Sequence, residues 1–528
     1  MDGMILGGMA NGLDVEGLSK TGVVTSLGRH SGSHKMATYL RAHGLDVEVI
    51  DFLPAWTLDE LKDLTKLRYN SKMKFIGIGG TFDTNFDTVR QYIAWVNDTY
   101  PNVLTVTGSQ LFFHIHQIPA DYHVIGYGEK AMLAILDGTV KYTDTVYNEN
   151  GDTRRVVDAM HSYPAFPMSD LSIEYEIRDF LQPDEMVTME CSRGCKFKCK
   201  FCSFPILGVK EDYTRAEDNF KNNLRKNFDD WGIHRYNIAD ETFNDDPEKI
   251  KKYANAVDQL DFTPFLNGYI RADLMAHHRD SWEHLARMGF SGHYYGVESF
   301  NRESAKSIGK GGHPDKIKEA LLDAKKYFKE ETGRYFGTIS MIVGLPHETW
   351  DTLNSSLEWF RENWKKQHVI MYPLFIPKDI ESSKKSFLSS NYENMGYEEI
   401  STTEMGYDFS DPIFQDSDSH KNYSFTDTIE YSKLQFMYMM AKEWSYVMWK
   451  SNNGMTPWNS FKWLYDNFYS HPSYGDFGVS GWDLYDWFAT GYSEQHMTQS
   501  FDDLGATAPP LWKKEQVIEK YKEKKFNY

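Results

Sequence analysis

All four cysteines of this 528-residue chain lie in one short stretch, between residues 191 and 202. The last three, Cys195, Cys199 and Cys202, have the spacing C-x3-C-x2-C. Because thiolates are preferred ligands of zinc and of iron–sulfur clusters, three thiols so close in sequence can surround one metal centre. A structural zinc site usually joins two short ligand pairs from separate places, and this sequence has no second pair. The loop therefore predicts a 4Fe–4S cluster with one iron open to another ligand, and a zinc loop or a structural thiol cluster is the alternative.

Composition and charge restrict the kind of protein further. Hydrophobic residues make up 41% and aromatic residues 15% of the chain, which is typical of a globular protein, and the length predicts several domains. The net charge of −19 disfavours nucleic acid and anionic membranes as main partners. No apolar run reaches the roughly 18 residues of a membrane-spanning helix, and the sequence shows no signal peptide. Because cluster ligands must stay reduced, we expect a cytoplasmic protein.

The N-terminal part of the chain alternates predicted strands and helices. Buried-strand patterns occur at residues 23–27, 47–51, 75–80 and 103–108, with helical spacing between them. Such alternation predicts a parallel sheet in a Rossmann-like α/β domain, which we place at residues 21–137. The glycine-rich residues 1–20 predict a tail, and the turn and prolines within residues 138–184 predict a linker.

The alternation of strands and helices resumes at residue 185 and continues to residue 375. The cysteine loop directly follows the predicted strand at residues 187–190, at the end where a βα barrel carries its chemistry. Residues 185–375 therefore predict a partial βα barrel. Residues 376–528 are rich in Trp, Tyr, Phe and Met and predict a mostly helical extension, whose aromatic side chains more often form core than a cofactor site. The predicted fold class is α/β, with these three parts in succession.

Short motifs flank the cysteines and follow them downstream. Ser192-Arg193-Gly194 precedes Cys195, and Phe201 precedes the last cysteine. Further along come Asp240-Glu241-Thr242-Phe243, Arg271-Ala272-Asp273, a run from Gly292 to Ser299, and Gly344-Leu345-Pro346. In this order, and behind the C-x3-C-x2-C loop, these motifs resemble those of the radical S-adenosylmethionine (radical SAM) superfamily. In that family the open iron binds S-adenosylmethionine, which the reduced cluster cleaves to a 5′-deoxyadenosyl radical.

The resemblance implies roles for individual residues. It assigns the cluster to Cys195, Cys199 and Cys202 and leaves Cys191 as a spare thiol, although a C-x3-C-x3-C triad that starts at Cys191 is an alternative. The residues implied to contact S-adenosylmethionine are Phe201, Glu241, Arg271, Glu298, Ser299 and Gly344. Carboxylates suit its amine and ribose hydroxyls, and a guanidinium suits its carboxylate. For each polar residue an ion pair on the barrel rim is the alternative, and the sequence assigns no catalytic residue.

The N-terminal domain resembles the cobalamin-binding domain that precedes many radical SAM domains, and a Rossmann-like domain without a cofactor is the alternative. The resemblance rests on Gly79-Gly80, Gly108-Ser109 and the segment 124–129. The axial-ligand motif D-x-H-x-x-G of some cobalamin proteins occurs around His123, but it leads into a late strand instead of following the first one. His30 and His34 lie in the expected loop without that spacing and are predicted to be ordinary loop residues. We therefore predict cobalamin without a histidine axial ligand.

These resemblances imply a radical SAM enzyme that uses a 4Fe–4S cluster, S-adenosylmethionine and cobalamin. The implied reaction is methyl transfer, or related radical chemistry, at an unactivated centre of a small molecule, with electrons from a donor such as flavodoxin or ferredoxin. One alternative is methylthiotransferase-like modification of RNA or protein, but that family carries three further N-terminal cysteines, which this chain lacks. Another alternative is a cluster-binding scaffold that catalyses nothing.

Overall fold

Two parallel sheets, one after the other along the chain, organise the molecule. The computed structural model describes residues 1–9, 23–25, 29–51, 53, 56–81, 86–109, 118–146, 153–163, 172–179, 181, 186–202, 214–365, 367–377, 386–401, 403–404, 446–464, 467, 511–513 and 519.

The N-terminal domain is built on a parallel sheet with helices on both faces. Its strands are β1 (Gly3–Met9), β2 (Val23–Thr25), β3 (Val47–Ile50), β4 (Phe75–Thr81), β5 (Leu104–Ser109), β6 (Tyr122–Ile125), β7 (Thr143–Val146) and β8 (Thr153–Asp158). Its helices are α1 (Ser31–Ala42), α2 (Leu58–Arg68), α3 (Phe86–Thr99), α4 (Glu129–Leu136) and α5 (Ala159–Ser162). Seven strands form one sheet in the order β3-β1-β4-β5-β6-β8-β7, parallel except at the β7 edge. Hydrophobic clusters fill both faces, which confirms the predicted Rossmann-like class.

The first strand of this sheet differs from the prediction. Residues 3–9, predicted as part of a tail, form the strand between β3 and β4, whereas β2 lies outside the sheet and pairs with Leu511–Lys513. The glycines that suggested a tail serve close packing instead. A Cβ on Gly3 would lie 2.0 Å from the Phe75 ring, and one on Gly7 would lie 2.1 Å from Ser33 Oγ. Glycine is therefore required here by the space between strand and neighbours.

The predicted linker also belongs to this domain in large part. Strands β7 and β8 pair antiparallel and extend the sheet beyond β6. The turn predicted at residues 148–152 falls between these two strands, outside the described residues. Further along, Arg41 on α1 donates to both carboxylate oxygens of Asp179 at 2.9 Å. The prediction was wrong because turn residues and prolines mark the ends of elements, and the four- and six-residue strands between them gave no pattern of their own.

The second domain is the predicted partial βα barrel. Its strands are β9 (Met186–Met189), β10 (Arg235–Ile238), β11 (Phe265–Ile270), β12 (Phe290–Glu298), β13 (Phe336–Val343) and β14 (His368–Pro373). Its helices are α6 (Glu217–Trp231), α7 (Pro247–Val257), α8 (Ala272–His277), α9 (Trp282–Arg287), α10 (Arg302–Ser307), α11 (Pro314–Thr332) and α12 (Trp350–Asn363). The six strands lie side by side in chain order and all neighbours are parallel.

Local sequence determines where helices of both domains begin and end. Helix α2 starts with a capping box in which Thr57 and Glu60 satisfy each other's backbone amides. Helix α7 starts with Asp246 as N-cap and proline in its first turn. Helices α6 and α11 end at Gly232 and Gly333, which adopt positive φ angles of 68° and 72°. Such left-handed C-caps favour glycine because it has no Cβ to clash.

The two faces of the second sheet differ in how deeply their side chains are buried. Alternate residues face the helices and are buried in the main hydrophobic core, among them Tyr236, Ile238, Leu266, Ile270, Tyr295, Val297, Ile339, Met341, Val369 and Met371. The residues between them form what we call the inner face, which is only partly buried: Thr188, Asn237, Asn267, Tyr269, Tyr294, Ser340, Ile342, Ile370 and Tyr372. This alternation is the period-two pattern expected of a strand with one fully covered side.

Most of the described C-terminal elements pack near the mouth of the barrel. They are β15 (Ile376–Pro377), α13 (Phe387–Ser390), β16 (Tyr397–Glu399), β17 (Tyr446–Val447), β18 (Trp449–Ser451) and α14 (Pro457–Leu464). The last described strand, β19 (Leu511–Lys513), pairs with β2 instead. Trp449 and Tyr397 join a hydrophobic cluster with Leu345 and Leu374 from the barrel, as expected for aromatic residues that form core. Most of the predicted helical extension lies outside the described residues. None of the helices placed here has the length and apolar composition needed to cross a membrane.

Candidate cluster and cofactor site

The cysteine loop begins at the carboxyl end of β9 and is held there by a buried carboxylate. Asp240, which follows β10, accepts hydrogen bonds from the backbone amides of Cys191 and Ser192 at 2.7 and 3.0 Å and from Ser192 Oγ at 2.6 Å. Burial raises the pKa of Asp240, and these donors together with Lys249 oppose that rise. The D-E-T-F motif thus fixes the start of the loop through its first residue.

The far end of the loop is held by the barrel and by the C-terminal region. The Lys200 amide donates to the Ile308 carbonyl at 2.8 Å, and the Leu388 amide donates to the Lys200 carbonyl at 2.7 Å. Phe201 packs against the hydrophobic cluster at the barrel mouth. The loop is therefore anchored on both sides of the cysteines.

Cys191 differs from the other cysteines because it is part of the hydrophobic core. Its exposed fraction is 0%, whereas Cys195, Cys199 and Cys202 are partly exposed. Burial raises the pKa of the Cys191 thiol well above its usual range. Since a metal ligand must be a thiolate, this placement favours the interpretation of Cys191 as a spare thiol.

The three remaining cysteines share the loop but have separate neighbours. Cys195 Sγ lies 3.7 Å from Thr242 Oγ1, and the Cys202 amide donates to the Cys199 carbonyl at 3.1 Å. Within the described chain, no three histidine, cysteine, aspartate or glutamate side chains meet closely enough to hold a metal ion. Three partly exposed thiols in one loop are nevertheless the kind of donors that iron–sulfur clusters use.

Arg271 lies directly against the cysteine loop. It donates through Nη1 to Cys199 Sγ at 3.3 Å and stacks on the Phe197 ring at 4.0 Å. Asn244 holds its backbone on both sides, and its fork binds Asp273 at 2.9 and 2.6 Å. Arg271 therefore acts on the cysteine loop, and Asp273 occupies the fork that was predicted to bind the cofactor carboxylate.

Glu298 ends β12 in a conformation that glutamate rarely adopts. Its φ angle is +68°, next to a register shift between β12 and β13. Its carboxylate pairs with Lys310 at 3.1 Å, and Lys310 also donates to the Gly296 carbonyl at 2.9 Å. Non-glycine residues with positive φ are concentrated at functional sites. The strained backbone distinguishes Glu298 from an ordinary rim residue.

Ser299 directly follows β12, and Gly344 directly follows the neighbouring strand β13. Ser299 Oγ donates to Glu348 Oε1 at 2.8 Å, and Tyr397 donates to the Gly344 carbonyl at 2.8 Å. Glu348 is buried, its Oε2 has no hydrogen-bond partner among the described residues, and burial raises its pKa to about 8. Glu348 lies two residues after the Gly344-Leu345-Pro346 motif, and sequence reasoning missed this buried carboxyl group.

The buried carboxyl of Glu348 predicts a pH-dependent stability. An ordinary glutamate in the unfolded chain has a pKa of 4.5, against about 8 in the folded protein. Between these values the folded state keeps a proton that the unfolded state releases, so the free energy of unfolding falls as pH rises through this window. We expect melting temperatures at about pH 5.5 and about pH 8.5 to differ less in Glu348→Gln than in the parent. Exposed Glu303→Gln should behave as the parent, and an equal pH effect in Glu348→Gln would contradict this assignment.

Glu241 lies on the side of the site that faces the N-terminal domain. Burial, followed by its neighbours Asp240 and Glu190, raises its pKa to about 8. Its Oε2 is buried without a hydrogen-bond partner in the described part of the chain. Burial, and after it the charge of Glu241, raises the pKa of Tyr127, which precedes α4. The structure thus places Glu241 at the junction of the two domains, apart from the contacts of Arg271 with the cysteine loop.

A buried ion network joins the two domains at this junction. Arg193, within the cysteine loop, pairs with Glu129 at the start of α4 and with Glu190 at 2.6 Å, while Lys35 on α1 pairs with Glu190. The Arg193 guanidinium also lies 4.2 Å from the Tyr127 ring. Burial alone would raise the pKa of Glu190, but Lys35 and Arg193 lower it to about 2. Arg193 and Glu129 were noticed in the sequence as motif residues, but their pairing across the domains was not predicted.

The three histidines considered for cobalamin have structural partners. His30 is the N-cap of α1 and lies 2.8 Å from Ser33 Oγ, and burial lowers its pKa to about 4. His34 Nε2 lies 2.8 Å from Asp51. His123 lies on β6, fully buried, with Nδ1 2.6 Å from Thr107 Oγ1. The position of His123 within a strand matches the prediction that its motif leads into a late strand.

Family and sequence comparisons match this architecture. Residues 189–360 match the model of the Radical SAM superfamily. An uncharacterized methyltransferase of Pyrococcus horikoshii is 23% identical over 364 residues, which cover 64% of this chain and 74% of the relative. The anaerobic magnesium-protoporphyrin IX monomethyl ester cyclase of Synechocystis sp. is 22% identical over 241 residues, 43% of this chain and 48% of the cyclase.

Two solved structures share the fold of both domains. OxsB, a cobalamin-dependent S-adenosylmethionine radical enzyme, aligns with a TM-score of 0.51 at 18% identity, over 75% of this chain and 55% of its own. The radical S-adenosylmethionine methyltransferase TsrM from Kitasatospora setae aligns with a TM-score of 0.52 at 14% identity, over 70% of this chain and 73% of its own. The chain thus spans little more than half the length of OxsB and less than half of the cyclase. At these identities the likeness establishes the fold.

Proposed function

Since the chain carries a radical SAM domain at residues 189–360, behind an N-terminal domain with the fold of cobalamin-dependent radical SAM enzymes, we propose that it is a cobalamin-dependent methyltransferase. It binds a 4Fe–4S cluster through Cys195, Cys199 and Cys202 and acts on an unactivated centre of a small molecule. The observation that carries the proposal is the contact of Arg271 with Cys199 Sγ at the carboxyl end of the sheet. This contact lies at the place where a βα barrel performs chemistry.

The residues of the chain have distinct tasks in this proposal. When bound, the cluster and S-adenosylmethionine supply reductive cleavage, and cobalamin supplies a methyl carrier. Asp240 holds the start of the cysteine loop, and Arg271 holds its middle. Lys310 pairs with Glu298 at 3.1 Å and lies 5.9 Å from the Phe201 ring, and Glu298 and Phe201 would border S-adenosylmethionine. The hydrophobic cluster around Trp449 packs near the barrel mouth and would limit the access of water from this side.

The N-terminal domain offers a place for cobalamin beside the cysteine loop. A side chain on Gly108, at the carboxyl end of β5, would meet no atom within 4 Å, so this strand end has open space beside it. The ion pairs from Glu129 and Lys35 to the cysteine loop keep this domain against the barrel. Ligands of open α/β sheets bind at the carboxyl ends of the strands. Gly108 and the end of β5 would therefore border cobalamin.

Anaerobic reconstitution tests the proposal directly. The protein is loaded with iron, sulfide and cobalamin, reduced through flavodoxin or ferredoxin, and incubated with S-adenosylmethionine. We expect a full cluster, bound cobalamin, and formation of S-adenosylhomocysteine and 5′-deoxyadenosine, measured by mass spectrometry. An intact cluster that yields neither product would instead indicate a cluster-binding scaffold without catalysis.

Glu298 is expected to contribute to S-adenosylmethionine binding. Losing a hydrogen bond to a charged group costs about 1.5–3 kcal/mol, so Glu298→Ala should weaken binding roughly ten- to a hundredfold while the iron content stays unchanged. Equilibrium dialysis of the reconstituted protein measures this affinity. Glu303→Ala, an exposed glutamate on the adjacent α10, is the matched control and should bind as the parent does. Unchanged affinity in Glu298→Ala would remove Glu298 from the site.

Cobalamin is expected to bind without a histidine ligand. His123 is buried within a strand and contacts Thr107, so its imidazole cannot reach a cofactor at the strand ends. The EPR spectrum of the cob(II)alamin form should show no nitrogen superhyperfine splitting from histidine. His123→Ala should bind as much cobalamin as the parent. Histidine splitting that disappears in His123→Ala would contradict this prediction.

A further inference from the structure

The inner face of the partial barrel is open in its middle. In a closed βα barrel the side chains on this side fill the interior and are buried. Here Tyr269 on β11 and Tyr372 on β14 expose 47% and 50% of their surface. Strand β11 has neighbours on both sides in the sheet, so exposure of a tyrosine there is unusual. Exposed aromatic surface in a concave position is typical of a binding site.

The tyrosines of this face form one group. The rings of Tyr269 and Tyr294 are 4.6 Å apart in an edge-to-face arrangement. Tyr372 lies on the same face three strands away, nearer the carboxyl ends of the strands, because Tyr294 aligns with Thr338 and Tyr372 aligns with Ile342. The three phenols therefore line one face of the sheet from its middle toward its rim.

The middle of the inner face is polar but uncharged. Its other members are Thr188, Asn237, Asn267, Ser340, Ile342 and Ile370. Charged groups lie above and below this band. At the rim, Arg271 and Glu298 are paired with Asp273 and Lys310. At the base, Arg334 stacks on the Phe265 ring at 4.6 Å.

We propose that the band formed by Tyr269, Tyr294 and Tyr372 binds an uncharged, planar ring of the substrate. This inference rests on the proposed function, because it assigns the substrate of the same barrel. Phenol rings attract another aromatic ring edge-to-face or offset-stacked, and their neutral hydroxyls donate to acceptors on it. A saturated ring gains no such contact. A charged ring would lose water without meeting an opposite charge in this band.

The proposal is tested by binding, independently of turnover. Protein reconstituted with the cluster and S-adenosylmethionine is titrated with 2-naphthol, with its saturated counterpart 2-decalol and with 2-naphthalenesulfonate, followed by saturation-transfer NMR. We expect 2-naphthol to bind roughly tenfold more tightly than either of the others. The double variant Tyr269→Ala/Tyr372→Ala should weaken 2-naphthol binding by about the same factor. Both side chains are half exposed, so their removal leaves the hydrophobic core intact.

Tyr142→Ala is the matched control, since Tyr142 exposes 45% of its surface but lies in the N-terminal domain. Equal binding of 2-decalol, or unchanged 2-naphthol binding in the double variant, would overturn the proposal. Tighter binding of the sulfonate would also overturn it, because selection would then come from Arg235 and Arg334 at the base. Cluster absorbance and S-adenosylmethionine cleavage are recorded on the same samples. If both are present without 2-naphthol binding, only this inference fails; if both are absent, the proposed function fails.

Discussion

Replacing Cys195, Cys199 or Cys202 by alanine is expected to abolish the iron–sulfur cluster. Each variant leaves two of the three cysteines in the loop. Among the described residues, no group of three histidine, cysteine, aspartate or glutamate side chains is placed to hold a metal ion. A cluster ligated by three cysteines cannot be retained by two. After anaerobic reconstitution the parent should contain about four iron atoms per chain and each of these variants almost none, as measured by iron analysis and visible absorbance.

Cys191→Ala is the matched control for these variants. Cys191 is fully buried and burial keeps its thiol protonated, so its removal should leave the iron content unchanged. It should instead lower stability modestly, as the loss of a small buried side chain does. Loss of the cluster in Cys191→Ala, with retention in Cys202→Ala, would establish the alternative C-x3-C-x3-C triad.

Arg193→Ala is expected to cause the largest loss of stability among the charge variants. Arg193 exposes 5% of its surface and pairs with Glu129 and Glu190. Breaking a buried ion pair leaves its partner charge without compensation and typically costs about 3–5 kcal/mol. Urea unfolding of the parent and the variant, followed by circular dichroism, measures this loss.

Arg225→Ala is the control for the removal of an arginine. Arg225 forms two ion pairs on the protein surface, with Asp229 and Asp261, and surface pairs contribute little because water screens them. We expect no measurable change in the unfolding midpoint. If Arg193→Ala lowered stability as little as Arg225→Ala, the ion network between the domains would be solvated and would not hold them together.

Much of the fold could be predicted because hydrophobic patterns mark buried strands and helices directly. The strands at Val47–Ile50 and Phe75–Thr81 lie where the sequence indicated them. Strand Gly3–Met9 was missed because its glycines are selected by close packing against Phe75 and Ser33, which are distant in sequence. A pattern within seven residues cannot show that a side chain on Gly3 would collide with the Phe75 ring.

Prediction of the candidate site meets the same limit, because contacts between residues distant in sequence leave no local pattern. The cysteine spacing is local, so the prediction of three cluster ligands needs only the sequence. The contact of Arg271 with Cys199 and the pairing of Glu129 with Arg193 join residues far apart in sequence. Both depend on where two strand ends and a helix meet in the fold. Arg271 was therefore predicted as a cofactor contact, and its attachment to Asp273 became visible only in the structure.

The hydrogen bond from Leu388 to Lys200 has a consequence for the order of biosynthesis. The ribosome completes the cysteine loop long before residues 386–401 and 446–464, which the structure describes near the barrel mouth, have been made. At about 5–20 residues per second, Leu388 follows Cys202 after roughly ten to forty seconds, and strands β10 to β14 are made within this interval. Until then the loop lacks the hydrogen bond that holds its far end in the folded protein. All six strands of the second sheet are thus synthesised before this support of the cysteine loop exists.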